Sequence, residues 1–432
     1  MNSEINHQSR RSFVAQFAAV TGALGISPNL AMTMYSNSSA EALSQSGGTR
    51  TDRTAVSPFV IEVPQATLDD LQRRLSRSRW PNAAPVGGWS QGTDIAYLHS
   101  LIDYWRDGFD WRLQERRMNK FPQFCTEIDG VRIHFLHIRG RGPNPMPLVL
   151  THGWPSSFDE FSKLIPMLTD PGHDSEISFD VVVPSLPGYG FSTPLPPPGP
   201  KSVGIAALWA KLMTERLGYK RFCAHGGDIG AGVTNRLGQN HAEVIHGIHV
   251  MALLPPWLGV GSAPLTANEQ RYQGILDAWG DEEGAYEHLQ RTRPQTLAYA
   301  MHDSPAGMAA WIVEKLHNWS DCGGDIESRF SKDDVLSGLT LYWATETFAS
   351  SVRLYYDSAH NPHPISLEKK VAAPTAIALT TEVVNKAPRE WAERTYTNIQ
   401  HWTEFPRGGH FMAHEEPELL AADLRTFFSR FR

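Results

Sequence analysis

The sequence has few cysteines, and this excludes folds that depend on them. Only Cys125, Cys223 and Cys322 occur among the 432 residues. They stand far apart, without the paired spacing of a zinc site or of a disulfide-rich scaffold. We therefore expect the fold to rest on a hydrophobic core, which a chain of this length can easily bury.

An excess of positive charge is also missing. The chain has 39 Lys and Arg against 46 Asp and Glu, a net charge of -7, and its body contains no basic run. This balance excludes a phosphate-binding surface and hence a nucleic-acid partner. After residue 45 no apolar run approaches the ~18 residues that span a bilayer, so we expect no stable membrane span in the mature chain. The expected partner is a small neutral or apolar substrate.

The first 45 residues are typical of a twin-arginine export signal. Arg10 and Arg11 precede a moderately apolar stretch to about Leu24, and small residues near Ala40 offer a cleavage site. The pattern predicts a periplasmic or secreted protein. The alternatives are a cytoplasmic protein with a disordered tail and an N-terminal membrane anchor.

Short β-rich runs alternate with helical patterns through most of the remaining chain, which predicts an α/β fold with a mostly parallel sheet. We expect a mainly helical N-terminal extension over 46–139, with a helix starting near Thr67, and an inserted helical cap over 251–368. The core would comprise 140–250 and 369–432. Its predicted strands are 126–128, 131–138, 147–151, 180–184, 221–225, 374–381 and 399–402, and its clearest helix is 203–217.

A candidate nucleophile stands in Gly226-Gly227-Asp228-Ile229-Gly230, between a strand pattern and a helix pattern. A nucleophile on a sharp strand-to-helix turn needs neighbours without bulk, and here glycines stand two residues to either side. The alternative is an Asp that caps a helix in a Gly-rich turn. A dinucleotide-binding loop is disfavoured because Asn235 stands where the third glycine would fall.

Aspartate rather than serine at this turn carries chemical information. Serine attack on a saturated carbon would leave an ether, which a histidine-activated water cannot hydrolyse, whereas a carboxylate leaves an ester that water can cleave. Asp228 therefore indicates epoxide opening or halide displacement, and disfavours a serine esterase.

The loop Thr151-His152-Gly153-Trp154-Pro155 follows a predicted strand and is a candidate oxyanion hole. The backbone N–H of Trp154 would act together with that of Ile229 on the oxyanion that forms when water attacks the ester. The alternative interpretation is a plain β-turn.

A histidine and a glutamate complete the candidate machinery. His410 follows two glycines on a late loop and could act as general base, while Glu382 follows the run 374–381 and could orient its imidazole. The alternatives are a structural histidine and a solvated glutamate. His414 lies four residues on, but without an HExxH pattern or supporting carboxylates we expect no metal, and no motif calls for a cofactor.

These motifs resemble those of microsomal-type epoxide hydrolases, including juvenile-hormone epoxide hydrolases, from residue 58 to residue 428. The resemblance rests on the following segments: 59–64 through Arg79-Trp80-Pro81, His152-Gly153-Trp154-Pro155, 187–192, 226–230, Asp303-Ser304-Pro305 and Gly408-Gly409-His410-Phe411. It implies an α/β-hydrolase core with a helical cap. It also implies conversion of an epoxide and water to a vicinal diol through an aspartyl hydroxyalkyl ester.

The resemblance further implies two cap tyrosines that donate to the epoxide oxygen. Tyr286 precedes Thr292-Arg293-Pro294, as the first tyrosine of the family does, and Tyr355 follows a Ser-Ser-x-Arg-x pattern, with Tyr356 as an adjacent alternative. The chain departs from the family twice. Glu382 lacks the usual preceding proline and stands one position early, and His225 occupies a position where the family often has Gln.

Two other functions remain open at this stage. A haloalkane dehalogenase also uses Asp at the elbow, but it should hold halide with a Trp directly after the nucleophile, where this chain has Ile229. A non-catalytic protein could use the same pocket to bind an apolar ligand. The sequence is compatible with a monomer or a homo-oligomer.

Overall fold

A computed structural model describes residues 54–170, 172, 177–360 and 368–432 of the chain. The predicted export signal therefore lies outside the described residues. Within them, nine strands form one sheet in the order β1-β2-β3-β5-β4-β6-β7-β8-β9. The strands are β1 (Ser57–Phe59), β2 (Gln123–Ile128), β3 (Val131–Ile138), β4 (Met146–Thr151), β5 (Phe179–Pro184), β6 (Phe222–Gly226), β7 (Ile245–Val250), β8 (Thr375–Leu379) and β9 (Ile399–Glu404).

The sheet is antiparallel at one side and parallel across the rest. The pairs β1–β2, β2–β3 and β3–β5 are antiparallel, whereas every pair from β5 through β4, β6, β7 and β8 to β9 is parallel. The parallel part of the sheet is covered on both faces, as strand β5 shows, since all six of its residues are buried. Parallel strands covered on both faces read as continuous apolar runs, because helices pack against each side. The predicted α/β class with a mostly parallel sheet is thereby confirmed.

Helices flank this sheet and extend beyond it. They are α1 (Gln65–Leu75), α2 (Ile95–Asp107), α3 (Trp111–Met118), α4 (Leu164–Thr169), α5 (Ser202–Lys211), α6 (Asp228–Asn240), α7 (Ala267–Glu283), α8 (Ala285–Thr292), α9 (Pro294–Asp303), α10 (Pro305–Trp319), α11 (Lys332–Ala344), α12 (Phe348–His360), α13 (Arg389–Glu393), α14 (Met412–Glu415) and α15 (Pro417–Phe428). Helix α6 packs on β4, β6 and β7, and α15 packs on α4 and β7. Helices α7–α12 lie between β7 and β8 in the chain and form the inserted helical region.

The N-terminal helices are tied to that inserted region. Helix α1 packs against α2, α10 and α11. It begins at Gln65, two residues before the predicted start, and it buries Leu71 and Leu75, which lie four residues apart on one face. The Arg74 guanidinium also donates to the Asp303 carboxylate at 2.6 Å, joining α1 to the end of α9. The N-terminal extension therefore contacts the cap.

The structure contains two strands that the sequence pattern did not predict, β1 and β7. Strand β7 reads Ile-His-Gly-Ile-His-Val, and its histidines and glycine interrupt the apolar run that marks a buried strand. Its His249 is nevertheless fully buried, because the Asp423 carboxylate accepts a hydrogen bond from Nε2 at 2.8 Å. The predicted helix over 203–217 is also divided, since α5 ends at Lys211 and a π-helical turn covers Leu212–Arg216.

No helix among the described residues is long and apolar enough to cross a membrane. In the same part of the chain, no group of three or more His, Cys, Asp or Glu side chains is arranged to hold a metal ion.

Candidate active site

Asp228 lies at a sharp turn where β6 ends and α6 begins. Its φ of 47° is in the left-handed region, which is unusual for a residue with a side chain and stores local strain. The turn is possible because two glycines remove bulk around it. A Cβ at Gly226 would overlap the carbonyl of Gly230, and a Cβ at Gly230 would overlap the carbonyl of Thr151. The predicted nucleophile elbow therefore has the geometry that its glycines indicate.

The loop after β4 places a backbone donor on the Asp228 carboxylate. Trp154 N–H donates to Oδ1 of Asp228 at 2.9 Å. A Cβ at Gly153 would overlap the same carboxylate, so the approach requires glycine there. The N–H of Ile229 lies in the first turn of α6, where backbone N–H groups have no intrahelical acceptor. The Trp154 N–H therefore contacts the Asp228 carboxylate directly, and the Ile229 N–H belongs to the residue that follows Asp228 in the turn.

His410 lies between the two predicted carboxylates. Its Nδ1 donates to Oε2 of Glu382 at 3.0 Å, and its Nε2 lies 3.7 Å from Oδ2 of Asp228. Glu382 follows β8 on a short turn, where Asn385 also donates to its carboxylate at 2.8 Å. The family offset at Glu382 thus does not prevent contact with the histidine. The arrangement can orient an imidazole towards a water next to Asp228.

The charge environment favours the protonated form of His410 in the protein without a ligand. Burial lowers the pKa of this imidazole, but the Glu382 and Asp228 carboxylates outweigh burial and raise the pKa to about 9. A base must be neutral to accept a proton from water. The negative charge of the Asp228 carboxylate therefore works against that role, and loss of this charge would favour it.

Tyr286 and Tyr355 meet above the elbow. Tyr286 lies on α8 and Tyr355 on α12, two helices that pack against each other, and their ring centroids are 6.3 Å apart. Both rings pack against the ring of Trp154, with distances between ring centroids of 5.4 Å for Tyr286 and 6.1 Å for Tyr355. Burial, followed by the charge of Asp228, raises the pKa of both hydroxyls well above the ordinary value. Both tyrosines therefore keep their protons and can act as donors.

Tyr356, the alternative to Tyr355, lies elsewhere. Its side chain is 37% exposed, and its ring stacks on His360 at the end of α12. Successive residues on a helix point about 100° apart, so only one of the two can face the elbow. The structure brings Tyr355 to the site and places Tyr356 at the surface.

A cavity of about 160 Å³ lies against four of the predicted side chains, and Tyr355 is not among the residues that line it. Asp228, Tyr286, Glu382 and His410 line it, together with several groups that we did not predict, including Trp279, Trp319 and Asn385. Its size and largely apolar lining suit a small apolar molecule with one polar group.

Trp319 is the most closely involved of the residues that the sequence analysis missed. It is 3% exposed, and its ring centroid lies 5.0 Å from that of Tyr286 and 5.0 Å from that of His410. It terminates α10, and its carbonyl accepts the backbone N–H of His410 at 2.8 Å. The one available signal was the richness of this region in Trp, which does not distinguish a pocket wall from core packing.

His225, the second departure from the family, pairs with a buried histidine. Its Nδ1 lies 2.9 Å from Nδ1 of His249, which is itself bonded to Asp423. The two imidazoles therefore share one hydrogen bond, and His249 links His225 to the Asp423 carboxylate. Burial lowers the pKa of His225 well below its ordinary value, so this residue is neutral. It therefore adds a buried hydrogen-bond chain below the elbow and no charge.

Comparisons with known proteins agree with this geometry. Residues 56–161 match the family described as "Epoxide hydrolase N terminus", and residues 146–417 match the family described as "alpha/beta hydrolase fold". The second match confirms the predicted fold class.

The chain is also similar to individual proteins over nearly their whole length. It is 35% identical to epoxide hydrolase 1 of Oryctolagus cuniculus, over 86% of this chain and 88% of the relative. It is 33% identical to juvenile hormone epoxide hydrolase 2 of Ctenocephalides felis, over 88% and 86%. Among solved structures, juvenile hormone epoxide hydrolase from Bombyx mori superposes with a TM-score of 0.81 at 29% identity, covering 89% of this chain and 96% of that one.

Proposed function

Because the chain belongs to the epoxide hydrolase family, we propose that it hydrolyses a small apolar epoxide with Asp228 as nucleophile and His410 as general base. The observation that carries this assignment is the contact geometry of Asp228. One oxygen accepts the Trp154 N–H at 2.9 Å, and the other lies 3.7 Å from Nε2 of His410.

In the first step, the Asp228 carboxylate attacks an epoxide carbon and the carbon–oxygen bond of the ring breaks. Tyr286 and Tyr355 donate to the leaving oxygen, which is protonated as the ring opens. Their high pKa values support this role, since a tyrosine that keeps its proton can stabilise a developing alkoxide. The product is a hydroxyalkyl ester on Asp228, and no cofactor or metal takes part.

In the second step, water attacks the carboxyl carbon of that ester. Ester formation removes the charge of Asp228, which lowers the pKa of His410. The imidazole then gives up its proton, which replaces the one that the tyrosines gave to the epoxide oxygen, and its Nε2 can accept a proton from the water. Glu382 holds the imidazole and stabilises its protonated form. The N–H groups of Trp154 and Ile229 stabilise the oxyanion, and the protonated imidazole gives its proton to the diol oxygen as the ester breaks. The diol leaves, and the proton of the Asp228 carboxyl group passes to His410, which restores the carboxylate.

A single turnover of styrene oxide in oxygen-18 water tests this assignment. The enzyme is kept in excess, and mass spectrometry follows both the diol and the peptide that contains Asp228. We expect solvent label in Asp228 and none in the first diol, because the ester oxygen that leaves comes from the carboxylate. Diol that carries the label, with Asp228 unlabelled, would mean direct attack by water and would contradict the proposal.

A histidine variant provides a second readout with a matched control. His410→Gln should trap the ester, so that the Asp228 peptide carries the mass of one styrene oxide. The exposed His360→Gln variant should turn over normally. Absence of diol across a broad epoxide panel would favour the apolar-ligand binder, and halide release from haloalkanes without diol formation would favour a dehalogenase.

We also propose export by the twin-arginine route. Support comes from the sequence alone, where Arg10 and Arg11 precede an apolar stretch. A double substitution of both arginines by lysine should keep the protein in the cytoplasm of the host cell, whereas the native sequence should deliver it to the periplasm or the medium. Equal distribution of the two forms between the fractions would contradict export by this route.

A further inference from the structure

The loop that carries His410 is held by a carboxylate other than those of Asp228 and Glu382. Glu415, at the end of α14, accepts backbone N–H groups from both sides of the histidine. Its Oε2 accepts from Gly409 at 3.0 Å, and its Oε1 accepts from Phe411 at 3.0 Å. Glu415 is 8% exposed, so these bonds are shielded from solvent. One buried side chain therefore fixes the backbone immediately before and after the candidate base.

Glu415 also binds the cap. Its Oε2 accepts the Asp321 N–H at 2.7 Å, just after the end of α10. The Asp321 carboxylate in turn accepts the Gly408 N–H at 2.9 Å. Each segment therefore supplies a carboxylate to the other. Glu415 accepts from the backbone of the cap segment, and Asp321 of the cap segment accepts from the backbone of the histidine loop.

The two backbones lie in direct contact at this point. A Cβ at Gly409 would lie 2.5 Å from the Trp319 carbonyl and 2.7 Å from the Asp321 nitrogen. The His410 N–H donates to the same Trp319 carbonyl at 2.8 Å. No side chain separates the two segments, so the position of the histidine loop is set by the cap segment and by the acceptor that joins them.

We propose that Glu415 is a positioning residue for the hydrolytic step, whose carboxylate holds His410 in line between Asp228 and Glu382. This inference rests on the proposed function, because it concerns the base of the second step. It assigns to Glu415 no contact with the substrate or with water.

The chemistry of the contacts explains why a carboxylate is needed. All three partners are N–H donors, and an ionised carboxylate presents acceptors only. A glutamine at 415 would keep one acceptor oxygen and turn its amide N–H groups towards at least one backbone N–H. A buried donor left without an acceptor is costly, so we expect the loop to shift until that N–H regains a partner.

The two half-reactions should respond differently to that displacement. Ester formation needs Asp228 and the two tyrosines, and none of these lies on the histidine loop. Ester hydrolysis needs Nε2 of His410 within hydrogen-bond distance of a water, and a misplacement of about 1 Å can slow such a step about 10²-fold. Glu415 should therefore act on hydrolysis and leave ester formation nearly unchanged.

The experiment measures both rates in single turnovers, with rapid quenching and quantification of the esterified Asp228 peptide. For Glu415→Gln we expect ester formation close to the wild-type rate and hydrolysis slowed by about 10- to 100-fold, so that the ester accumulates. Glu416→Gln is the matched control. It makes the same charge change one residue on, but Glu416 binds Arg329 and Arg407, each at 2.8 Å. Its ratio of the two rates should equal that of the wild type.

The ratio of the ester-formation rate to the hydrolysis rate distinguishes a positioning role from simple stabilisation of the fold. Parallel loss of both rates in Glu415→Gln, or no change in either, would overturn the proposal, as would an equal change of the ratio in Glu416→Gln. Should the Gln variant fail to fold, the ratio is measured in Glu415→Asp, which keeps the charge but is too short to reach all three amides. An unchanged ratio there would also overturn it. Failure of the proposed function is distinguishable, because the wild-type enzyme would then form no ester.

Discussion

The charge of Asp228 should control the protonation of His410, and Asp228→Asn tests this directly. Asparagine has nearly the shape of the carboxylate but, like the ester, carries no charge. In the wild-type enzyme the pKa of His410 is raised to about 9, against the opposing effect of burial. If Asp228 contributes to that rise, the pKa must fall in the variant, while Glu382 continues to hold it above the value that burial alone would give.

The magnitude follows from the geometry. Nε2 of His410 lies 3.7 Å from Oδ2 of Asp228. The His410 side chain is 16% exposed and that of Asp228 is 20% exposed. Opposite charges about 4 Å apart attract by about 1 kcal/mol in water and by about 4 kcal/mol at an effective dielectric constant of about 20. Since about 1.36 kcal/mol corresponds to one pH unit, we expect the pKa of His410 to fall by about 1 to 3 pH units.

The measurement is a titration of the imidazole Cε1–H signals by nuclear magnetic resonance. The chain contains 18 histidines, so the signal of His410 is assigned by its loss in His410→Gln. Asp281→Asn, which removes an exposed carboxylate on α7, is the control and should leave the pKa unchanged. An unchanged or raised pKa in Asp228→Asn would refute the reasoning. It would mean that ester formation does not prepare the base for the second step.

Three further predictions concern single positions. Tyr355→Phe should slow ester formation by about 10²- to 10³-fold in a single-turnover assay, because a donor to the leaving oxygen is lost, whereas Tyr356→Phe should react normally; equal effects would contradict the assignment. Gly153→Ala should abolish diol formation because its methyl group would overlap the nucleophile, while Gly274→Ala, with open space around it, should be fully active. Asp423→Asn should lower the free energy of unfolding in urea by about 1–3 kcal/mol, since two histidines lose their shared charged acceptor; unaltered stability would show that the acceptor is dispensable.

The residues that the sequence located best are those whose chemistry needs a local backbone pattern. The Asp228 turn requires glycine at 226 because that residue meets the Gly230 carbonyl, and glycine at 230 because α6 lies against the end of β4. Both requirements are visible in five consecutive residues. His410 was similarly marked by the two glycines before it. The structure brings both to one cavity, together with Glu382.

Other features could not be read from the sequence, because they depend on distant segments. Tyr355 required a family resemblance, since an aromatic residue on a helix is usually core packing, and only folding brings it to Trp154. Strand β7 was missed because the acceptor that allows His249 to be buried, Asp423, lies near the end of the chain. The sequence does not distinguish Glu415 from a surface glutamate, because its third donor, the Asp321 N–H, comes from the distant cap segment.

The contact between Gly230 and the carbonyl of Thr151 has a consequence for how such an enzyme can change. The start of α6 meets the end of β4 main chain to main chain, so no existing side chain sets the spacing between the nucleophile and the oxyanion loop, and a side chain added at Gly230 would overlap the Thr151 carbonyl. The tyrosines, by contrast, are carried by α8 and α12, whose packing depends on side chains throughout. Selection for new epoxides should therefore gather substitutions in those helices and leave the reaction centre below them intact.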